Sequence, residues 1–190
     1  MTRLFLALGL LVLASGCDSG PDAFGPPRSA EILRVTVTAA PLADVDGDGW
    51  DGDAGGGPEV YFRLFDDVVD YETRPGDDLL NPRDDGDIVF ALGSTDPWFN
   101  DVDVVDLPLV WDVDPGLFIR DLGDPFYVAL FDYDPFDGDD PIGYTETFTL
   151  ADFAPSRVSN QATIIRLRGF DLRGTAIDEV DVSLTVQFLD

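Results

Sequence analysis

Apolar and polar side chains alternate with a period of two along most of the chain from residue 31 onward. Such alternation is typical of strands with one buried face, whereas an amphipathic helix places apolar residues three and four positions apart. No stretch of the sequence carries a sustained apolar stripe of the helical period, and acidic segments rich in Gly and Pro separate the apolar runs. The pattern therefore predicts an all-β chain.

Eight segments fit the strand pattern: LRVTVT (33–38), EVYFRLF (59–65), DIVFAL (87–92), LPLVWD (107–112), FYVALFD (126–132), IGYTETFTL (142–150), TIIRLRGF (163–170) and VDVSLTVQFL (180–189). In three of them, the residues predicted to face the core are Leu33, Val35, Val37, Val60, Phe62, Leu64, Val182, Leu184, Val186 and Phe188. Segment 126–132 is apolar on both faces and is predicted to be central. Eight short strands with connections of variable length predict an eight-stranded antiparallel β-sandwich.

The N-terminus, MTRLFLALGLLVLASGC, has one Arg, an apolar run of about ten residues and then small residues, as a secretory signal does. Its segment Leu13-Ala14-Ser15-Gly16-Cys17 resembles the lipobox of bacterial lipoproteins, which implies removal of residues 1–16 and acylation of Cys17. An ordinary free thiol at Cys17 is the alternative. Residues 17–30 would then be a lipid-anchored flexible tether, and 31–190 the folded domain. We expect an exported protein of the bacterial cell envelope, at either the inner or the outer membrane.

Charge and composition exclude several functions. Lys and Arg together number 11 against 38 Asp and Glu, a formal net charge of −27, so nucleic acid is an unfavourable partner. The chain has no His, no Lys and a single Cys, which removes Schiff-base chemistry, the usual nucleophile–base pairs and His/Cys zinc sites. Paired carboxylates alone can hydrolyse glycosides, but nothing in the sequence marks one pair as distinct. We therefore expect a binding protein and no enzyme.

Two acidic clusters stand out among the connections. The first, DVDGDGWDGD (44–53), alternates Asp with small residues, and the second, DYDPFDGDD (132–140), holds five Asp in nine positions. Closely spaced oxygen ligands suit a hard cation such as calcium, and a bound cation offsets the repulsion among the carboxylates. The alternative is that both clusters are solvated loops of a very acidic protein.

The spacing within these clusters resembles that of C2 domains, the calcium-dependent lipid-binding modules of the synaptotagmin and protein kinase C type. The pattern Asp132, Asp134, Asp140, Ile142 and Gly143 is similar to the third calcium loop of the family. The segment Gly57-Pro58-Glu59-Val60-Tyr61-Phe62 is similar to the Pro-Asp-Pro-Tyr-Val that follows its first calcium loop, with Glu59 where the family has Asp. Residues 33–53 are similar to the first strand and first acidic loop, and the resemblance spans residues 33–189.

The resemblance implies a C2-like sandwich with calcium as its cofactor. Carried over by position, the ligands implied in the third loop are Asp132, Asp134, Asp137 and Asp140. Those implied in the first loop are Glu59 and one of Asp44 and Asp46. Family members also contact lipid through exposed apolar residues at the loop tips; Phe136 falls at such a tip here, and Trp50 lies within the other loop. The alternative is that each aromatic side chain packs across its own loop.

The expected function is that calcium bridges loops 44–59 and 132–140 and presents this edge to phospholipid or to an envelope protein. The acyl chains on Cys17 would hold the protein at its membrane independently of calcium. Two alternatives remain open. In the first, the domain is a calcium-stabilised structural or adhesion module without lipid binding. In the second, it is an acidic sandwich that needs no metal.

Overall fold

The computed structural model describes residues 27–43, 57–66, 88–91, 99, 101–133, 140–156, 162–171 and 177–189. The predicted signal segment and Cys17 lie outside these ranges. Within them, no helix has the length and apolar character needed to cross a bilayer. The strands are β1 (Ser29–Ala39), β2 (Val60–Phe65), β3 (Ile88–Ala91), β4 (Leu109–Ile119), β5 (Pro125–Asp132), β6 (Asp140–Thr145), β7 (Phe148–Thr149), β8 (Thr163–Asp171) and β9 (Ile177–Leu189). Two short 3₁₀ helices span Val104–Asp106 and Leu150–Ser156.

All strand pairs are antiparallel, and hydrogen bonds join the strands in the order β3-β2-β5-β6-β8-β9-β1-β4, with β7 paired to β5. The predictions of an all-β chain and of eight principal antiparallel strands are therefore confirmed. Each predicted segment contains a strand. Segment 142–150 is divided, however: β6 ends at Thr145, and residues 146 and 147 precede the short β7.

The sheet curls into two layers, β3-β2-β5-β6 and β8-β9-β1-β4, that face each other across the main core. Phe62 of β2 and Trp111 of β4 meet edge to face, with ring centroids 5.2 Å apart. The predicted sandwich is thus one continuous ladder, since β6 pairs with β8 from Gly143 to Thr145. Gly169 allows this close approach, because a Cβ there would overlap the backbone of Tyr144 and Thr145.

Strand β1 departs from the predicted pattern at its beginning. It starts at Ser29, inside the predicted tether, because Ala30 is buried and pairs with Ile119 and Phe188. An irregularity in the pairing between Ile32 and Arg34 leaves Leu33 as an extra residue. Such a bulge shifts the alternation, so Ile32 takes the core position predicted for Leu33.

Strand β5 is buried on both faces, as its sequence predicts. Phe126, Val128 and Leu130 belong to the main core. Other residues of β5 lie on the opposite face of the sheet and belong to a second buried group, here called the outer aromatic cluster. Its members are Tyr61, Phe65, Tyr127, Ala129, Phe131 and Tyr144. The guanidinium carbon of Arg63 lies 4.8 Å from the ring centroid of Phe131, within cation–π range. Two apolar faces thus hold the strand that leads to Asp132.

Candidate functional site

Strand pairing places both predicted calcium loops at one end of the domain, here called the site pole. Strands β1, β3, β5 and β8 end at this pole, and β2, β4, β6 and β9 begin there, as the antiparallel registers show. The connection from β1 to β2 and the connection from β5 to β6 therefore both run between strand ends at the site pole. The opposite end, where β1 begins and β9 ends, is here called the terminal pole.

Asp132 links the two connections directly. It is the last residue of β5, only 4% of its surface is exposed, and its Oδ1 accepts a hydrogen bond of 2.6 Å from the backbone N–H of Glu59. The backbone N–H of Tyr133 donates to the carbonyl of Glu59 at 3.0 Å. A carboxylate in the predicted third loop thus holds the backbone at the end of the predicted first loop.

Asp140 begins β6 and pairs in register with Asp132, while Val60, which follows Glu59, pairs with Asp132 on the other side. The structure therefore brings Glu59, Asp132 and Asp140 to neighbouring strand ends. They differ in environment, since Asp140 is exposed and Asp132 is buried. The remaining predicted site residues lie outside the described residues: Asp44, Asp46, Trp50, Asp134, Phe136 and Asp137.

The described residues do not form a metal site by themselves. Among them, no three carboxylate, His or Cys side chains come together as a group that could hold an ion. The donors Glu59, Asp132 and Asp140 fit calcium in their chemistry, because all are carboxylates and calcium takes oxygen ligands. A site with six or more oxygens would need further donors from residues 44–56 and 134–139.

A third connection braces the site pole, and the sequence analysis did not single it out. Val60 and Phe99 exchange backbone hydrogen bonds of 2.9 and 3.0 Å, and the N–H of Val102 donates to the carbonyl of Pro58 at 3.1 Å. The N–H of Gly57 donates to Oδ1 of Asp101 at 2.7 Å. Residues 101–106, here called the bracing segment, therefore hold the end of the predicted first loop from the side opposite to Asp132.

The bracing segment also presents two exposed apolar side chains. Asp103 caps the 3₁₀ helix Val104–Asp106, and its own N–H donates to Oδ2 of Asp106 at 2.9 Å, which completes a capping box. Val104 is 66% exposed and Val105 is 80% exposed. The signal in the sequence is an Asp followed three residues later by another Asp, a spacing that favours a cap.

Asp171 is another carboxylate at the site pole that the sequence analysis did not name. It ends β8, pairs in register with Gly143 and is buried. Its sequence position, after an alternating strand, is that of an ordinary loop residue. Burial at the strand end distinguishes it from the many exposed Asp residues, and burial appears only once β6 and β8 are paired.

No protein-family model matches the chain, and no curated protein matches it. Among solved structures, it is similar to a C2 domain protein from Ramazzottius varieornatus, with 13% sequence identity and a TM-score of 0.39. The similarity covers 85% of this chain and 88% of that chain. The all-β fold of this protein rests on its own strand pairing, and nothing about its ligands follows from a likeness of this degree.

Proposed function

We propose that the protein is a C2-type calcium-binding module whose site pole binds calcium through loops 44–59 and 132–140. The observation that carries the proposal is the hydrogen bond from the Glu59 N–H to the Asp132 carboxylate. It joins the two loops whose sequences resemble calcium loops, and it orients a buried carboxylate at their junction. A carboxylate so placed is costly to bury unless donors or cations surround it.

Glu59, Asp132 and Asp140 are the described residues that would hold the ion. Asp134, Asp137 and one of Asp44 and Asp46 would complete the donor set. Bound calcium would supply the positive charge that offsets the repulsion among these carboxylates. The part-buried hydrogen bond of Asp132 and the bracing segment would keep the two loop ends in place before binding, so less ordering would be needed when the ion enters.

The module would act by binding and not by catalysis. With its loops joined, the site pole would present an edge, including Trp50 and Phe136, to phospholipid or to an envelope protein. We further propose that Cys17 carries the acyl chains that anchor the exported protein to the cell envelope. This part of the proposal rests on the resemblance of the N-terminus to a lipoprotein signal.

Calorimetric titration with calcium tests the proposal. The mature chain, residues 17–190 with Cys17→Ser to keep it free of lipid, would be titrated at fixed ionic strength, with magnesium as the control ion. We expect saturable binding with a dissociation constant of about 10⁻⁴ to 10⁻³ M, the range of extracellular calcium modules. The variant Asp132→Asn, Asp134→Asn should lose this binding.

The matched control is Asp121→Asn, Asp124→Asn, which removes the same charge from the terminal pole and should bind as the wild type does. Equal binding by both double variants would place the ion elsewhere. Absence of binding up to about 10 mM calcium, well above the usual extracellular range, would refute the calcium proposal.

The metal-independent alternative rests on the same hydrogen bonds. Glu59–Asp132 joins the two loop ends, and Gly57–Asp101 joins the first-loop end to the bracing segment. If these bonds alone stabilise the pole, the melting temperature will not change when calcium is added at fixed ionic strength. If calcium raises the melting temperature but the protein binds neither neutral nor anionic vesicles, the structural or adhesion alternative is favoured instead.

A further inference from the structure

The chain enters the folded domain at the end opposite to the candidate calcium site. The N–H of Arg28 donates to the carbonyl of Leu189 at 2.9 Å, and Ser29 pairs with Leu189. Both contacts lie at the terminal pole. Strand β1 then runs to Ala39 at the site pole. Ten residues of rise along a strand correspond to about 33 Å, so the entry point and the site pole are separated by roughly that length.

The segment between Cys17 and Arg28 covers that distance only when it is almost fully extended. Residues 18–27, ten in all, reach at most about 36 Å when fully extended. A flexible chain of that length has a root-mean-square span of only about 16 to 19 Å. To bring the site pole to the membrane that holds Cys17, the domain would have to invert beside a nearly stretched tether, which costs conformational entropy.

We infer that the site pole faces away from the membrane that anchors Cys17. The inference rests on the proposed function, namely on calcium binding at the site pole and on acylation of Cys17. The exposed Val104 and Val105 are then displayed at the end remote from the anchor.

Energy transfer from protein to lipid measures this orientation. The acylated full-length protein would be placed in phosphatidylcholine vesicles containing a trace of acceptor-labelled lipid. A donor dye would be attached at Val105→Cys, on the site pole, or at Arg120→Cys, next to the pairing of Ala30 with Ile119 at the terminal pole. Acylation through sulfur leaves Cys17 without a free thiol, so each variant carries one dye.

We expect higher transfer efficiency from position 120 than from position 105, with and without calcium. Phosphatidylserine added to the same vesicles should leave that order unchanged at saturating calcium. The control inserts a Gly/Ser segment of about 30 residues into the tether, raising its root-mean-square span to about 32 to 38 Å, which should narrow the difference between the two dyes.

Equal or higher transfer from position 105 in the unmodified tether would overturn the inference. So would failure of the protein to associate with vesicles through Cys17, judged against Cys17→Ser. These outcomes are separable from failure of the calcium proposal. Calcium binding is measured by titration of the same labelled protein, whereas the orientation is measured in calcium-free buffer as well.

Discussion

The two poles of the domain use aspartate in different ways. At the site pole, Asp132 and Asp101 accept hydrogen bonds from the backbone of Glu59 and Gly57, which are 73 and 44 residues away in the sequence. At the terminal pole, Asp121 accepts from the N–H of Gly123, only two residues along the chain. The carboxylates of Asp132 and Asp101 therefore join separate connections, whereas that of Asp121 shapes a single turn.

The difference shows what an acidic connection contributes to the fold. A local bond such as that of Asp121 favours one turn geometry, and water can replace it when the turn is exposed. A bond between distant segments limits how those segments move relative to each other, and loss of the Asp132 bond also leaves the part-buried Glu59 N–H unsatisfied. Substitutions at the site pole should therefore lower stability more than matched substitutions at the terminal pole.

The largest difference in stability between the two poles is expected when one glycine at each pole is replaced by alanine. A Cβ at Gly57 would overlap the backbone of Val102, whereas a Cβ at Gly123 would meet one side-chain oxygen, Oδ1 of Asp121, at 3.4 Å. Gly57→Ala must displace the bracing segment, and we expect the free energy of unfolding to fall by about 1 to 3 kcal/mol. Gly123→Ala should change it by less than about 0.5 kcal/mol. Urea denaturation of both variants measures the difference. Similar losses of stability in the two variants would show that the bracing segment does not stabilise the site pole.

The next largest loss of stability is expected for substitutions of Asp132. Asp132→Ala removes the acceptor for the partly buried Glu59 N–H, so unfolding in calcium-free buffer should require about 1 to 3 kcal/mol less. Asp132→Asn keeps an oxygen acceptor at the same position and should retain most of that stability. If the Asn and Ala variants are equally destabilised, the negative charge of Asp132, and not its hydrogen bond, is what stabilises the pole.

The sequence predicted the fold well where local pattern decides it. Alternation located seven of the eight principal strands and the doubly apolar run located segment 126–132, which was correctly predicted to be central. The curl that joins the two layers through β6 and β8 was not predictable, because it depends on pairing between residues far apart and on the absence of a Cβ at Gly169. The displacement of Leu33 by Ile32 also required the bulge, which alternation alone does not show.

The candidate site was predictable only in part. The resemblance to C2 domains implied Asp132, Asp140 and Glu59 as ligands, and the structure brings all three to neighbouring strand ends. It was not evident that Asp132 would be buried and bonded to the Glu59 backbone, since burial follows from the packing of β2, β5 and β6 together. The bracing role of Asp101 depends on a contact with Gly57, which no local motif encodes.

The smallest difference in stability between the poles is expected when Asp101, at the site pole, and Asp121, at the terminal pole, are each replaced by alanine. Asp101 is exposed, so Asp101→Ala should lower the free energy of unfolding by only about 0.5 to 1.5 kcal/mol, the usual net value of one hydrogen bond. Asp121→Ala should cost less than about 0.5 kcal/mol, because the exposed Gly123 N–H can bond to water. A double-mutant cycle of Asp101→Ala with Gly57→Ala sharpens the test, since residues in contact show coupling that distant ones lack. Additive losses in that cycle would mean that Asp101 and Gly57 contribute independently and that the bracing segment is held by its backbone bonds alone.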